Sequence, residues 1–140
     1  MNVLIADTED RFNDALTVRH KVFVEEQKVP EEEEIDQHEK DAVHFVAYDG
    51  KNPIGAGRMR IHDDIAKVER ICVLDAYRGK HVGQAIMNKI EETAKEKGLN
   101  TLLLNAQLHA VPFYERLHYK VTSDEFMDAG IPHVQMRKSL

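Results

Sequence analysis

The chain has a single cysteine, Cys72, and so cannot close an internal disulfide. Its apolar neighbours Ile71 and Val73 predict a buried small hydrophobe, in keeping with a reducing compartment. No apolar run approaches the ~20 residues of a membrane-spanning helix, and the first residues lack the basic start and apolar stretch of a signal peptide. The expected location is therefore the cytoplasm, with no membrane partner. No Lys/Arg cluster offsets the formal net charge of -6, which disfavours nucleic acid as a partner. His20, His38, His44, His62, His109 and His133 show no metal-ligand spacing, so no metal site is expected. Internal repeats and low-complexity tracts are absent as well.

What remains is an ordinary globular composition. Hydrophobic residues make up 42% and charged residues 31% of 140 residues, a length that suits one compact domain. Asn2–Ala6 reads as a short strand. Thr8, followed by Glu9 and Asp10, suits the N-cap of a helix whose apolar positions, Phe12 to Phe23, carry it to about residue 24. Residues 27–41 break that pattern with Pro30 and the run Glu31–Glu34, which reads either as a solvated loop or as an acidic mouth for a cationic substrate. His44–Tyr48 and Ile54–Ile61, separated by Gly50 and Asn52–Pro53, predict a hairpin. Ala66–Leu74 is the next strand, Val82–Lys97 an amphipathic helix closed by Gly98, and Leu99–Ala106 a short strand buried on both faces. A helix over Ala110–Leu117 and strands at Tyr119–Ser123 and His133–Lys138 complete the order β-α-β-β-β-α-β-α-β-β. That order predicts an α/β sheet with helices on its faces.

Arg78–Gly83 lies between a strand and the long helix, where successive backbone N–H groups and the positive helix end converge and favour an anion. Gly79 and Gly83 permit the side-chain-free approach that a pyrophosphate needs, and Arg78 adds charge. The loop matches neither G-x-x-x-x-G-K-[ST] nor G-x-G-x-x-G, which weighs against nucleoside triphosphates and dinucleotides. The stretch ERICVLDAYRGKHVGQAIMNKIEE resembles the acetyl-CoA-binding segment of the GNAT superfamily of N-acetyltransferases. NAQLHAVPFYERLHY is similar to that superfamily's downstream strand and helix, while VFVEEQKVP and AGIPHVQMRK resemble its ElaA/YjcF-like branch. Together these segments span nearly the whole chain. Two positions depart from the pattern: His81 and His118 stand where the superfamily carries glycine.

The resemblance implies a single-domain GNAT-like fold, a central mixed twisted sheet with helices on both faces. It implies acetyl-CoA as cosubstrate and direct transfer of the acetyl group to a primary amine, on a small molecule or a peptide. The backbone around Ile71, Cys72 and Val73 would pair with the pantetheine arm, the Val73 N–H polarising the thioester carbonyl. Arg78, Gly79, Lys80, His81, Val82, Gly83 and Gln84 would cradle the pyrophosphate, and Gln107 would touch the cofactor through its amide. Tyr114, whose phenol ordinarily titrates near about 10, is the expected proton donor to the departing thiolate. Glu69 lies four residues before Val73, on the same face of an ideal strand; it is the expected base, or else the ion-pair partner of Arg58, Arg60 or Arg70. His109 is an outside candidate for proton transfer. Asn105 is a candidate for lining the acceptor site. So are Arg19, Glu26 and Gln27 of the VFVEEQ region, which read equally well as a packed, salt-bridged helix end. A catalytically weak CoA-sensing or acyl-CoA-sensing module is the alternative function, and the oligomeric state is open, a homodimer included.

Overall fold

A computed structural model describes all residues from Met1 to Leu140. Strand β1 (Asn2–Ile5) leads into helix α1 (Glu9–Arg19), whose first turn is capped as the sequence predicts: Arg11 N–H donates to Thr8 Oγ1 at 3.2 Å. The helix then widens into a π-helical segment, His20–Glu26, so that its axis runs on past the predicted end. A short helix α2 (Glu31–Glu34) follows where a loop was expected. The hairpin forms from β2 (Val43–Asp49) and β3 (Asn52–His62), and β4 (Ile65–Val73) continues the meander. After β4 come α3 (Val82–Glu96), β5 (Thr101–Gln107), α4 (Val111–Arg116), β6 (Lys120–Val121), β7 (Phe126–Asp128) and β8 (Ile131–Ser139). β7, a three-residue strand, has no counterpart in the sequence reading, since such a piece is held by pairing rather than by its own pattern.

The eight strands make one sheet in the order β1-β2-β3-β4-β5-β8-β6, with β7 paired to β8. Only β4 and β5 run parallel, joined by the crossover through α3, as a parallel pair requires. Alternation divides the core between two faces. Ala15, Val18 and Val22 of the α1 side pack with Val46, Ala56 and Cys72. Ile86, Met87 and Ile90 of α3 pack on the opposite face with Phe45, Met59, Val68 and Leu104. The fold class expected from the sequence, an α/β mixed sheet with helices on both faces, is what forms.

α3 ends as predicted at Gly98 (φ 75), where Gly98 N–H and Leu99 N–H turn back to Lys95 O and Ala94 O. His118, just past α4, also takes a left-handed conformation, with φ 74. The two histidines that replace expected glycines, His81 and His118, thus both keep glycine-like backbone. Histidine is among the side chains that tolerate that region.

Candidate active site

The site begins with an irregularity in β4. Opposite β3, Ala56 pairs with Cys72 and Arg58 with Glu69, so Arg70 and Ile71 together face the single residue Gly57. Arg70 is the bulged residue, at φ 61. The extra residue reverses the side-chain parity beyond it. Val68, Ile71 and Val73 pack toward α3, whereas Cys72 packs toward α1. Glu69 and Arg70 both reach acidic or basic partners on the α1 side. The expectation that Glu69 and Val73 share a face is therefore corrected, because the bulge separates them.

Beyond the bulge the two parallel strands part. Pairing runs from Ile65↔Thr101 to Val68↔Leu104 and then stops, although β4 continues to Val73 and β5 to Gln107. Leu74 N–H donates to Ile54 O at 2.9 Å on the β3 side, so by alternation the Val73 N–H turns to the open edge. Cys72 shows its carbonyl to β3, and its thiol is pushed up to about 12 by burial. Its side chain is a core group, and only its neighbours' backbone faces the gap. A cleft of about 510 Å³ fills the space between the parted strands, lined among others by Glu69, Ile71, Asn105, Gln107, Tyr114 and His133.

At one end of this region stands the N-terminus of α3. Its first backbone bond is Ala85 N–H to His81 O, no side chain caps it, and its first turn holds no acid. The N–H groups of Val82, Gly83 and Gln84 therefore point outward without protein partners, an anion-binding arrangement. Gly79 (φ 77) and His81 (φ 65) turn the loop into the helix. Gly83 lets α4 approach, since a Cβ there would lie 3.2 Å from Phe113 Cζ. Arg78 is already engaged: it grips Glu26 at 2.6 and 2.7 Å and donates to Val73 O at 3.0 Å. Lys80 lies over the Tyr77 ring at 5.5 Å.

Tyr114 reaches the cleft from α4. It is buried, edge-on to Phe113 (4.9 Å) and Tyr119 (5.8 Å), and no protein group bonds its hydroxyl. Burial pushes the phenol well above its ordinary value, so it carries its proton at neutral pH.

The wall on the α1 side is an ion-pair network. Arg19 is 0% exposed and donates to Glu34 (3.0 and 2.8 Å) and Glu39 (2.9 and 2.8 Å). Arg58, 1% exposed, joins Asp36, Glu39 and Glu69. Arg70 adds bonds to Glu34 and Asp36. Segment 27–41, with its run Glu31–Glu34 read as a solvated loop or an acidic mouth, divides: Glu34 is buried in this network, while Glu32 and Glu33 are exposed at the cleft.

Several expected roles change accordingly. Arg19 is sealed inside the network and cannot touch an acceptor. Glu26 is spent on Arg78, beside the loop that leads into α3, its carboxyl held below the ordinary value by that hydrogen bond. Glu69 is the ion-pair partner rather than a free base. Burial works to raise its carboxyl, but the hydrogen bond from Arg60 (2.8 Å) and the charges of Arg58 and Arg60 outweigh burial and hold it below the ordinary value. Gln27 and Gln107, 80 positions apart, are brought together: Gln107 Nε2 donates to Gln27 Oε1 at 2.9 Å beside the cleft. Asn105 lines the same cleft and is exposed to it, as does exposed His109. The network residues Asp36 and Glu39 carry no sequence signal, because their arginine partners come from three other segments, α1, β3 and β4. His133 stood inside the AGIPHVQMRK motif without an assigned role.

Residues 7–140 match the family described as Acetyltransferase (GNAT) domain. The chain is 51% identical over 139 residues to the protein of Bacillus subtilis (strain 168) named "Uncharacterized N-acetyltransferase YjcF", covering 99% of both. Among solved structures it is similar to an acyl-CoA N-acyltransferase from Pseudomonas aeruginosa (TM-score 0.86, 25% identity, 99% of each chain). It is similar also to Escherichia coli ElaA (TM-score 0.85, 26% identity, 98% of this chain and 97% of that one).

Proposed function

The chain belongs to the GNAT acetyltransferase family, in its ElaA/YjcF-like branch, and is an acyltransferase; from that premise we propose that it moves an acetyl group from acetyl-CoA directly to a primary amine. Acetyl-CoA supplies the activated thioester. The free N–H groups of Val82, Gly83 and Gln84 suit its pyrophosphate. The gap between β4 and β5 leaves the β4 backbone around Ile71 and the Val73 N–H without a β5 partner, the Val73 carbonyl being held by Arg78, and so open to the pantetheine amides as a further strand would be paired. The Val73 N–H is the donor available to the thioester oxygen as negative charge develops there.

Tyr114 is the proton donor to the leaving thiolate. Its phenol is kept protonated by burial, faces the cleft and has no competing protein partner. Glu69 and its arginines hold the opposite wall in place. The exposed carboxylates of Glu32, Glu33 and Asp128 at the cleft, none of them ion-paired, favour an acceptor that carries positive charge, either a small amine or a lysine-containing peptide.

The observation that carries this reading is the parting of β4 and β5 beside an uncapped helix N-terminus, with Tyr114 between them. The test is release of free thiol from acetyl-CoA against a panel of primary amines. Wild-type turnover is expected. Tyr114→Phe is expected to lower kcat by on the order of 10²-fold with binding of CoA retained, and an unchanged kcat would remove Tyr114 from its assigned role.

A further inference from the structure

With Glu69 held by arginines, the proton of an acceptor ammonium has to pass to another group at the cleft. We propose that His133 is that group, its Nε2 acting as the catalytic base; the inference rests on the amine-acetylating reading above.

His133 and Gln107 are register partners on β8 and β5, and directly opposed residues of an antiparallel pair point to the same side. Gln107, bonded to Gln27, lines the cleft, and Asn105, two residues earlier on β5, shares that side. His133 lines it as well, 8% exposed, its ring stacked on Phe126 with centroids 6.0 Å apart. The ring's tautomer is set by one contact: Nδ1 lies 2.7 Å from Ile131 O. A carbonyl only accepts, so Nδ1 carries the hydrogen and the neutral ring keeps its lone pair on Nε2. No protein group bonds Nε2.

Two other histidines sharpen the comparison. His44 Nε2 is tied to Glu39 O at 2.7 Å and its ring serves the ion-pair wall. His109 lies at the cleft but is exposed, and no bond orients its ring. Only His133 combines a position in the cleft, a fixed tautomer and a free ring nitrogen.

The step balances as follows. Nε2 takes one proton from the ammonium, and the neutral amine nitrogen forms its bond to the thioester carbonyl carbon as the C–S bond breaks. Tyr114 gives its proton to the thiolate and recovers one from the acylated nitrogen, and His133 releases its proton to solvent. The products are the amide, CoA thiol and one proton.

The experiment compares two acceptors of the same length, a primary alkylamine, protonated at neutral pH, and an O-alkylhydroxylamine, neutral there. His133→Asn keeps a donor for Ile131 O but lacks Nε2. It is expected to lose about 10²-fold in kcat/KM or more on the alkylamine and only a few-fold on the hydroxylamine. In His133→Ala, added imidazole is expected to restore alkylamine turnover. Equal losses on both acceptors, or an undiminished alkylamine rate, would overturn the role of His133 while leaving acetyl transfer standing. A wild-type enzyme inactive on every amine would overturn the underlying reading instead.

Discussion

Glu39 is the junction at which the wall of the cleft can be tested. Its carboxylate, 10% exposed, accepts from Arg19 at 2.9 and 2.8 Å, from Arg58 at 3.0 Å and from Asp36 N–H at 3.2 Å. Burial works to raise its pKa, but the hydrogen bonds and charge of Arg19 prevail, and it is lowered from 4.5 to about 2. That difference corresponds to about 3 kcal/mol at neutral pH, at the lower edge of the ~3–5 kcal/mol lost when one partner of a buried pair is removed. Glu39→Gln should therefore cost about 3 kcal/mol and, for a domain of this size, lower Tm by ~10 °C. Because the folded-state pKa is depressed, the stabilisation is fully present above about pH 4.5 and lost as pH falls toward 2. The gap between wild type and variant should thus be largest at pH 7 and narrow progressively below pH 4.5. Urea unfolding followed by far-UV circular dichroism is the suitable assay, since the chain has no tryptophan to report by fluorescence. A difference below ~0.5 kcal/mol at pH 7, or one that does not narrow in acid, would refute the view that Glu39 is held as a buried anion.

Three further outcomes are expected. His81→Gly relieves a left-handed histidine at φ 65, which costs about 1–2 kcal/mol for a residue with a β-carbon. Thermal unfolding should show a small net gain, and calorimetry a tighter acetyl-CoA complex; a loss of stability would mean His81 makes compensating contacts. Gly83→Ala places a Cβ 3.2 Å from Phe113 Cζ, so overpacking should outweigh the ~1 kcal/mol gained in helix propensity. Lower stability and slower turnover are expected together, and a stabilised variant would contradict the contact. Glu26→Gln removes the carboxylate that grips Arg78 and should free the guanidinium for phosphate. A several-fold lower Kd for CoA at low salt, converging with wild type at high salt, is the expected result, and weaker binding would assign Glu26 a supporting role.

Much of the architecture was legible because it depends on short-range pattern. Thr8 caps α1, Gly98 ends α3, and the apolar positions of Val82, Ile86 and Ile90 place that helix on the sheet as their spacing predicts. The turn from β4 to α3, with its small residues and unpaired N–H groups, is likewise local. Gln27 and Gln107 were read as site residues from separate motifs and do meet. Glu69, Arg19 and Glu26 illustrate the opposite case. Each carries a charge suited to chemistry, and each is committed to partners from other segments, which no local pattern announces.

The sequence by itself determined the α/β layering and the glycine turn that opens α3, since helical and strand periods and a glycine turn are properties of neighbouring residues. It determined also that Cys72 would be buried among apolar groups. Only the tertiary structure decided which residues face the cleft. One bulged residue at Arg70 turns Glu69 and Val73 to opposite faces, and strand pairing sets His133 across from Gln107. Side-chain parity and inter-strand register are settled by pairing across the sheet, where a shift of one residue changes the face without changing the pattern.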